Sequence, residues 1–430
     1  MKVLSLSIFS YQINLTKPLK KQMSMKSNIN NGIVFIFSPI IAFIRALGDA
    51  YNKNSKLIIV LFCAIVGWSM YPYDSSFDLS RYYDSFDFLL GQSTEDYMQG
   101  LRDFLSFSST VKDYYFETVV FLVTKVTKNI HYCYLVFGIV FGMFFAGSMA
   151  IITKHINDKV DFCKYYGYMI FLIVFAIPFT LISSVRFWTA AWVGIYVLLQ
   201  VFLERKYRYI LLLPFTVFIH GSYTIFCGLT LLGLLLSLRP NLHVTRILII
   251  LAFASIPISY LSIGIANSIQ GYLPAPLQKL QENYMSEEHL EAYNNYVGTG
   301  FSWVAEIFET LEKTFEAILL ILLSSKRWKN NKDIYARLFV VFLILLSFAN
   351  FTAAIPSLGK RFHLLCMPIL YFLWCVTFVN REYRSLINII PGIYSFSIVY
   401  WIYHTVMGVV GIMPLLISPF ISFVRFLNIM

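Results

Sequence analysis

Charge is what this chain most lacks. Only 13% of its 430 residues are Asp, Glu, Lys or Arg, against roughly 25% in a soluble domain. Hydrophobic residues make up 58%, and the mean hydropathy is +0.67. Water does not carry that much apolar surface, whereas a lipid bilayer does. In lipid the backbone must satisfy its own hydrogen bonds, so a spanning chain is helical or a closed barrel. Barrel strands would show about ten residues of alternating polarity, and no such alternation is present. The apolar runs, about 18–22 residues long, have the length of spanning helices. The expected fold is therefore all-α, a polytopic membrane helical bundle.

Other absences narrow the chemistry. There is no HExxH, no GxSxG, no P-loop and no EF-hand spacing. The six cysteines (Cys63, Cys133, Cys163, Cys227, Cys366 and Cys375) include no CxxC pair. They give neither a disulfide framework nor a zinc site. His131, His155, His243, His289, His363 and His404 form no ligand cluster. No metal and no cofactor are expected. Neither a repeat of 20–50 residues nor a matched inverted half is visible, and no Asp or Glu is expected deep inside a span. The net charge of +11 suggests nucleic acid at first sight. In a membrane chain excess Lys and Arg report topology instead, so no nucleic-acid partner is expected.

The first 30 residues hold Lys17, Lys20, Lys21 and Lys26 but no long apolar core and no cleavage site. Met23 and Met25 are alternative starts, and residues 1–30 are expected to lie outside the folded part. Residues 31–430 read as a single transmembrane domain of about 12–13 spans, near 32–47, 57–73, 132–152, 166–183, 187–203, 209–220, 222–238, 246–266, 305–324, 335–355, 362–380, 385–403 and 406–424. The 209–220 piece is too short to cross alone and reads with 221–238 as a broken or re-entrant pair. Basic residues gather in alternate connections, among them Lys53 and Lys56, Lys154 and Lys159, Arg205 to Arg208, and Lys326 to Lys332. Positive-inside bias puts these in the cytoplasm. The two longer segments, about 74–130 and 267–304, then lie outside.

That alternation collects the polar residues hardest to explain onto the external face. Arg186 stands beside Ser183 and Ser184 in an apolar run from Ile177 to Leu203, of which it is the one charged residue. It reads either as an anchor snorkelling to headgroups or as a clamp on phosphate oxygens, which a guanidinium matches in fork geometry. Lys360 and Arg361 read the same way, and Gly359 leaves room for a close approach. His220, beside Gly221 and Ser222, is either a satisfied core residue or a proton acceptor. Asp74, Asp78, Arg81, Tyr82 and Tyr83 combine carboxylates with aromatic faces, the usual lining of a saccharide site. The alternative is an interfacial aromatic belt. Asp74, Asp78 and Arg81 have spacings that one helical face can present.

Three stretches together resemble the EpsG/Wzy-type polysaccharide polymerases of bacterial cell envelopes. They are Asp74-Ser-Ser-Phe-Asp78-Leu-Ser-Arg81-Tyr82-Tyr83, then Ser184-Val185-Arg186-Phe187-Trp188 with a basic turn and Phe218-Ile219-His220-Gly221-Ser222, then Gly359-Lys360-Arg361-Phe362. The likeness covers about residues 60–380. The family's usual glutamine after the arginine is Phe187 here. The resemblance implies a GT-C-like helical architecture in the bacterial inner membrane, with the active site facing the periplasm. It implies that undecaprenyl-diphosphate-linked oligosaccharide repeats are joined into capsule, exopolysaccharide or O-antigen, with a flippase and a chain-length regulator as partners. On this reading His220, Arg186 and Arg361 are catalytic, and Asp74, Asp78, Arg81, Tyr82, Tyr83 and Lys360 bind substrate. A lipid-linked oligosaccharide flippase, or an O-antigen-ligase-like glycan transferase, is the competing reading.

Overall fold

The computed structural model describes residues 31–70, 78–108, 111, 113–159, 164–238, 242–274, 278–279, 281–282, 302–325, 334–355, 357–378, 389, 392–394 and 399. Among them the regular structure is helical, and no strand occurs. In chain order the first helices are α1 (Pro39–Gly48), α2 (Lys53–Trp68), α3 (Asp78–Leu89), α4 (Thr94–Leu105), α5 (Tyr115–Thr124), α6 (Ile130–Lys159) and α7 (Lys164–Ala176). Then come α8 (Phe187–Leu198), α9 (Leu213–Ile219), α10 (Tyr223–Ser237), α11 (Leu242–Ala254), α12 (Leu261–Ile269), α13 (Ser302–Ser325), α14 (Ile334–Phe351) and α15 (Leu358–Phe378). Two stretches are long and apolar enough to cross a bilayer, Ile130–Ile156 in α6 and Ile334–Ala354 around α14. Other apolar helices are shorter.

Proline explains several shortened helices. It lacks the amide hydrogen and disfavours helical backbone in the residue before it. The apolar run at 166–183 is therefore cut at Pro178, with α7 on one side and a 3-10 turn, Phe179–Ser183, on the other. The run expected as one span at 246–266 is two helices, α11 and α12, separated by turns around Pro257. Pro39 opens α1, where a missing amide costs nothing. The expected spans at 385–403 and 406–424 lie almost wholly outside the described residues.

Helix α8 is the axis of the bundle. Every residue from Phe187 to Leu203 except Tyr196 is buried, the signature of a helix apolar on all sides. Its last turn widens into a π-helix, Leu199–Leu203. Helix α14 is buried in the same way. Helices α2 and α6 press backbone to backbone because each offers glycine at the contact. A Cβ on Gly67 would collide with the Tyr134 carbonyl, and one on Gly138 with the Cys63 carbonyl.

Two expectations about the broken regions change. The 209–220 piece is a 3-10 helix, Tyr207–Leu212, running into α9. The 3-10 form rises about 2.0 Å per residue against 1.5 Å for an α-helix, which stretches a short segment. Tyr209 at one end packs on Tyr196 at 5.5 Å, and His220 at the other packs on Phe187 at 5.2 Å. The leg thus lies along α8 and turns at Gly221 into α10. The long 74–130 segment is also more than a loop. Its helix α5 folds back so that Tyr115 and Phe116 lie 5.4 and 5.8 Å from Phe137, about two turns into α6.

Candidate functional site

The site is built where helices begin. The first residue of α8 is Phe187, that of α10 is Tyr223, and α15 starts at Leu358 with Arg361 and Phe362 in its opening turns. These starts meet around the Phe187 ring. His220 lies 5.2 Å from it edge-on, Tyr223 5.3 Å and Phe362 6.2 Å, and the Arg361 guanidinium sits over it at 5.3 Å. The Tyr223 hydroxyl donates to the Phe187 carbonyl at 3.2 Å. Arg186 is the residue before Phe187. Arg361 thus lies over the ring of the residue that follows Arg186, 175 positions away in sequence. The start of α5 comes to the same place, because Tyr114, its N-cap, donates its amide to the Phe218 carbonyl at 3.0 Å. Helix starts carry unpaired amide hydrogens and partial positive charge.

Arg186 is held firmly. Its Nε donates to the Tyr82 hydroxyl at 3.0 Å and its Nη1 to Asp113 Oδ1 at 3.0 Å, and the guanidinium lies 5.3 Å from the Tyr82 ring. Asp113 is 2% exposed, whereas the Arg186 side chain keeps 36% of its surface open. Helix α5 carries Glu117 one turn beyond Asp113, with a buried Oε2 that has no hydrogen-bond partner among the described residues. Neither carboxylate stood out in the sequence, because both sit in a segment that reads as a polar loop.

His220 is buried. Its Nδ1 accepts the Ser222 amide hydrogen at 3.3 Å and lies 2.8 Å from the Ser222 hydroxyl. An amide nitrogen can only donate. That bond assigns the proton of the neutral imidazole to Nε2, so in this arrangement the ring's other edge is a donor and not a base.

The remaining candidates divide. Tyr82 belongs to the site. Tyr83 does not reach it: its hydroxyl donates to the Met70 carbonyl at 3.2 Å and its ring stacks on Tyr134 at 5.9 Å. Helix α3 begins at Asp78, so the helical face expected to carry Asp74, Asp78 and Arg81 starts only there. Asp74 lies outside the described residues, and Arg81 is exposed. Lys360 points away from Arg361 and pairs with Glu309 of α13 at 3.6 Å. At Gly359 the space that a Cβ would take is filled by the backbone of Thr352 and Ala353, which it would meet within 3.0 Å.

A second polar group corrects an expectation. Glu316 lies well inside α13 and is buried. It accepts from His363 Nε2 at 2.8 Å and from the Tyr371 hydroxyl at 3.1 Å, and Tyr394 lies 2.6 Å from Tyr371. Glu316, Tyr371 and Tyr394 border a small cavity of about 70 Å³ against Phe171 and Phe175 of α7. A carboxylate is therefore buried inside a helix expected to span, at the head of its apolar second half. It escapes notice in sequence because Glu309, Glu312 and Glu316 share the spacing of an ordinary wet helix face. No group of three metal-ligating side chains occurs among the described residues. Comparison of the chain with protein-family models, with curated proteins and with solved structures finds no match.

Proposed function

We propose that this chain is a membrane polysaccharide polymerase that joins undecaprenyl-diphosphate-linked oligosaccharide repeats on the periplasmic face of the bacterial inner membrane. The observation that carries the proposal is the convergence on the Phe187 ring of helix starts, Arg361 and the Nε2–H tautomer of His220, with Arg186 the preceding residue. Every one of these groups is a hydrogen-bond donor or a cation, so the place suits an anion with several oxygens. A diphosphate leaving group is such an anion. In the reaction an acceptor hydroxyl oxygen bonds to the anomeric carbon, the bond from that carbon to the diphosphate breaks, and the hydroxyl proton passes to the departing diphosphate or to water. Negative charge grows on the leaving oxygen, and preorganised donors lower the barrier by meeting it there. His220 serves on this account as a donor to the diphosphate. No nucleotide is required, because the glycosyl–diphosphate bond holds the energy.

The membrane setting is supported by apolar side chains facing outward. Leu235 of α10 and Ile247 and Ile250 of α11 are 66, 61 and 67% exposed. Such a surface is unusual for a protein in water.

A second reading is favoured by one observation. Glu316, mid-helix and joined to His363 beside a cavity, is the kind of intramembrane ionisable residue that marks transport pathways. It suits a flippase for the same lipid-linked substrate. Deleting the gene and displaying cell-surface glycans on a gel separates the readings. A polymerase deletion leaves single capped repeats. Loss of a flippase leaves none, and loss of a ligase leaves lipid-linked polymer. A full ladder in the deletion strain would overturn all three.

A further inference from the structure

We infer that Asp113 is the positioning residue of the anion site: it holds the Arg186 guanidinium so that the donors it does not use face the ligand. The inference rests on the diphosphate reading above.

The guanidinium has five N–H donors in a rigid plane. Tyr82 takes the Nε hydrogen and Asp113 takes one on Nη1, each at 3.0 Å. Two contacts on a planar fork fix its orientation. Nη2 has no partner among the described residues, and the side chain is 36% open. The arrangement therefore presents one edge of the fork and spends the other on the protein. Asp113 is suited to the holding role because it is 2% exposed and cannot follow the guanidinium outward. Its own position is set by the neighbouring Tyr114, whose amide is fixed on the Phe218 carbonyl and whose hydroxyl donates to the Tyr97 carbonyl at 2.9 Å. Phe218 lies two residues before His220. One short stretch of chain thus places Asp113 and His220 relative to each other.

The opposite role is also physical, which gives the test a sign. A buried carboxylate beside an anion site repels the anion. If Asp113 only balanced charge, its removal would tighten anion binding. If it positions Arg186, its removal lets the guanidinium swing and loosens binding.

The test uses the purified full-length protein and inorganic pyrophosphate as the probe. Asp113→Asn should weaken pyrophosphate binding about tenfold, the loss expected for one charged hydrogen bond. Tyr82→Phe should weaken it less. In an Arg186→Gln background the Asp113→Asn change should have no further effect, because its influence passes through Arg186. Tighter or unchanged binding in Asp113→Asn, or an equal loss in both backgrounds, overturns the inference. A second measurement does not need the ligand. Phenylglyoxal modification of Arg186, mapped by peptide mass, should change several-fold in Asp113→Asn while that of Arg361 stays constant. Asp113→Glu, which keeps the charge if the first variant fails to fold, should fall between wild type and Asn. Equal labelling of Arg186 in all three overturns the positioning role. Failure of the wild type to bind pyrophosphate overturns instead the diphosphate reading, while the labelling still reports whether Asp113 controls Arg186.

Discussion

The two ends of α8 carry similar residues to opposite effect. At its far end Glu204 stands beyond the π-turn. It meets His155 at 3.0 Å, Lys154 at 3.2 Å and Lys206 at 3.5 Å, and Tyr335 of α14 lies 3.5 Å from His155. One carboxylate there is met by two lysines and a histidine. Burial alone would raise its pKa, but hydrogen bonds from His155 and Lys154 with the charges of Lys154 and Lys206 hold the carboxyl below its ordinary value. At the near end Arg361 and His220 stand around the Phe187 ring, and Arg186, the residue before it, bonds the buried Asp113. Charges at the Glu204 end are spent on each other and fasten α6 to α8. At the other end the Arg186 guanidinium gives only two of its five N–H donors to Tyr82 and Asp113. A cluster of charged residues is thus a candidate site according to what its members point at, not how many there are.

The largest expected effect is at Arg186. Arg186→Ala should abolish polymer formation, a loss of at least about 10²-fold, as for removal of a donor that meets developing charge. Arg186→Lys should also be damaging, because a point charge replaces a fork held on two sides. The glycan ladder of a complemented deletion strain, with expression checked by blot, reads both. The mirror change, Glu204→Gln, should leave the ladder intact and lower thermal stability instead. Since the folded carboxyl is held below its ordinary value, its contribution is present above pH about 4.3. It is lost as the pH falls through the lower folded value. Wild type and Glu204→Gln should therefore differ in thermal stability at pH 7 and converge in acid. If Glu204→Gln shortened the ladder as much as Arg186→Ala did, the contrast between the ends would fail.

His220 comes next and sharpens the comparison. A general base should lose about 10²–10⁴-fold on replacement by either Ala or Gln. A donor held through Nδ1 should lose most of that with Ala but within about tenfold with Gln, whose amide can still donate. Polymer yield from the two variants decides between the roles. Near-equal, large losses would restore the base and require the other tautomer, with Nδ1–H turned to the Ser222 hydroxyl.

Arg186 and Arg361 were legible in the sequence for a physical reason: a charge that interrupts an apolar run costs energy unless something holds it. Alternating basic turns put both at helix ends of one side, and Arg361 lies over the ring of Phe187, the neighbour of Arg186. Asp113 was not legible, because a carboxylate in a polar stretch carries no sign that the stretch folds back into the bundle. Glu316 was hidden by the regularity of its own helix. Tyr83 sits beside Tyr82 in the same aromatic pair, yet successive helix residues point about 100° apart. Only one of the two can face Arg186. The breaks at Pro178 and Pro257 were visible residue by residue, but a window averaged over an apolar run passes through them.

The smallest expected effect is at Lys360, and it tests whether adjacency in sequence means adjacency in function. Lys360 and Arg361 are consecutive cations on the first turn of α15, and the resemblance treats them as a pair. Their surroundings differ. Arg361 lies over Phe187, while Lys360 is 59% exposed and faces Glu309, which Lys313 also reaches at 2.9 Å. An exposed ion pair of this kind contributes about 0–1 kcal/mol, and Lys313 remains to hold Glu309 when Lys360 is lost. Lys360→Ala should therefore leave polymer length within about twofold of wild type and stability within about 0.5 kcal/mol, the usual range for surface changes. Arg361→Ala, one residue away, should shorten the ladder severely. A Lys360→Ala strain as defective as Arg361→Ala, at equal expression, would mean that the lysine leaves Glu309 for the ligand, and the anion site would then extend across both faces of α15.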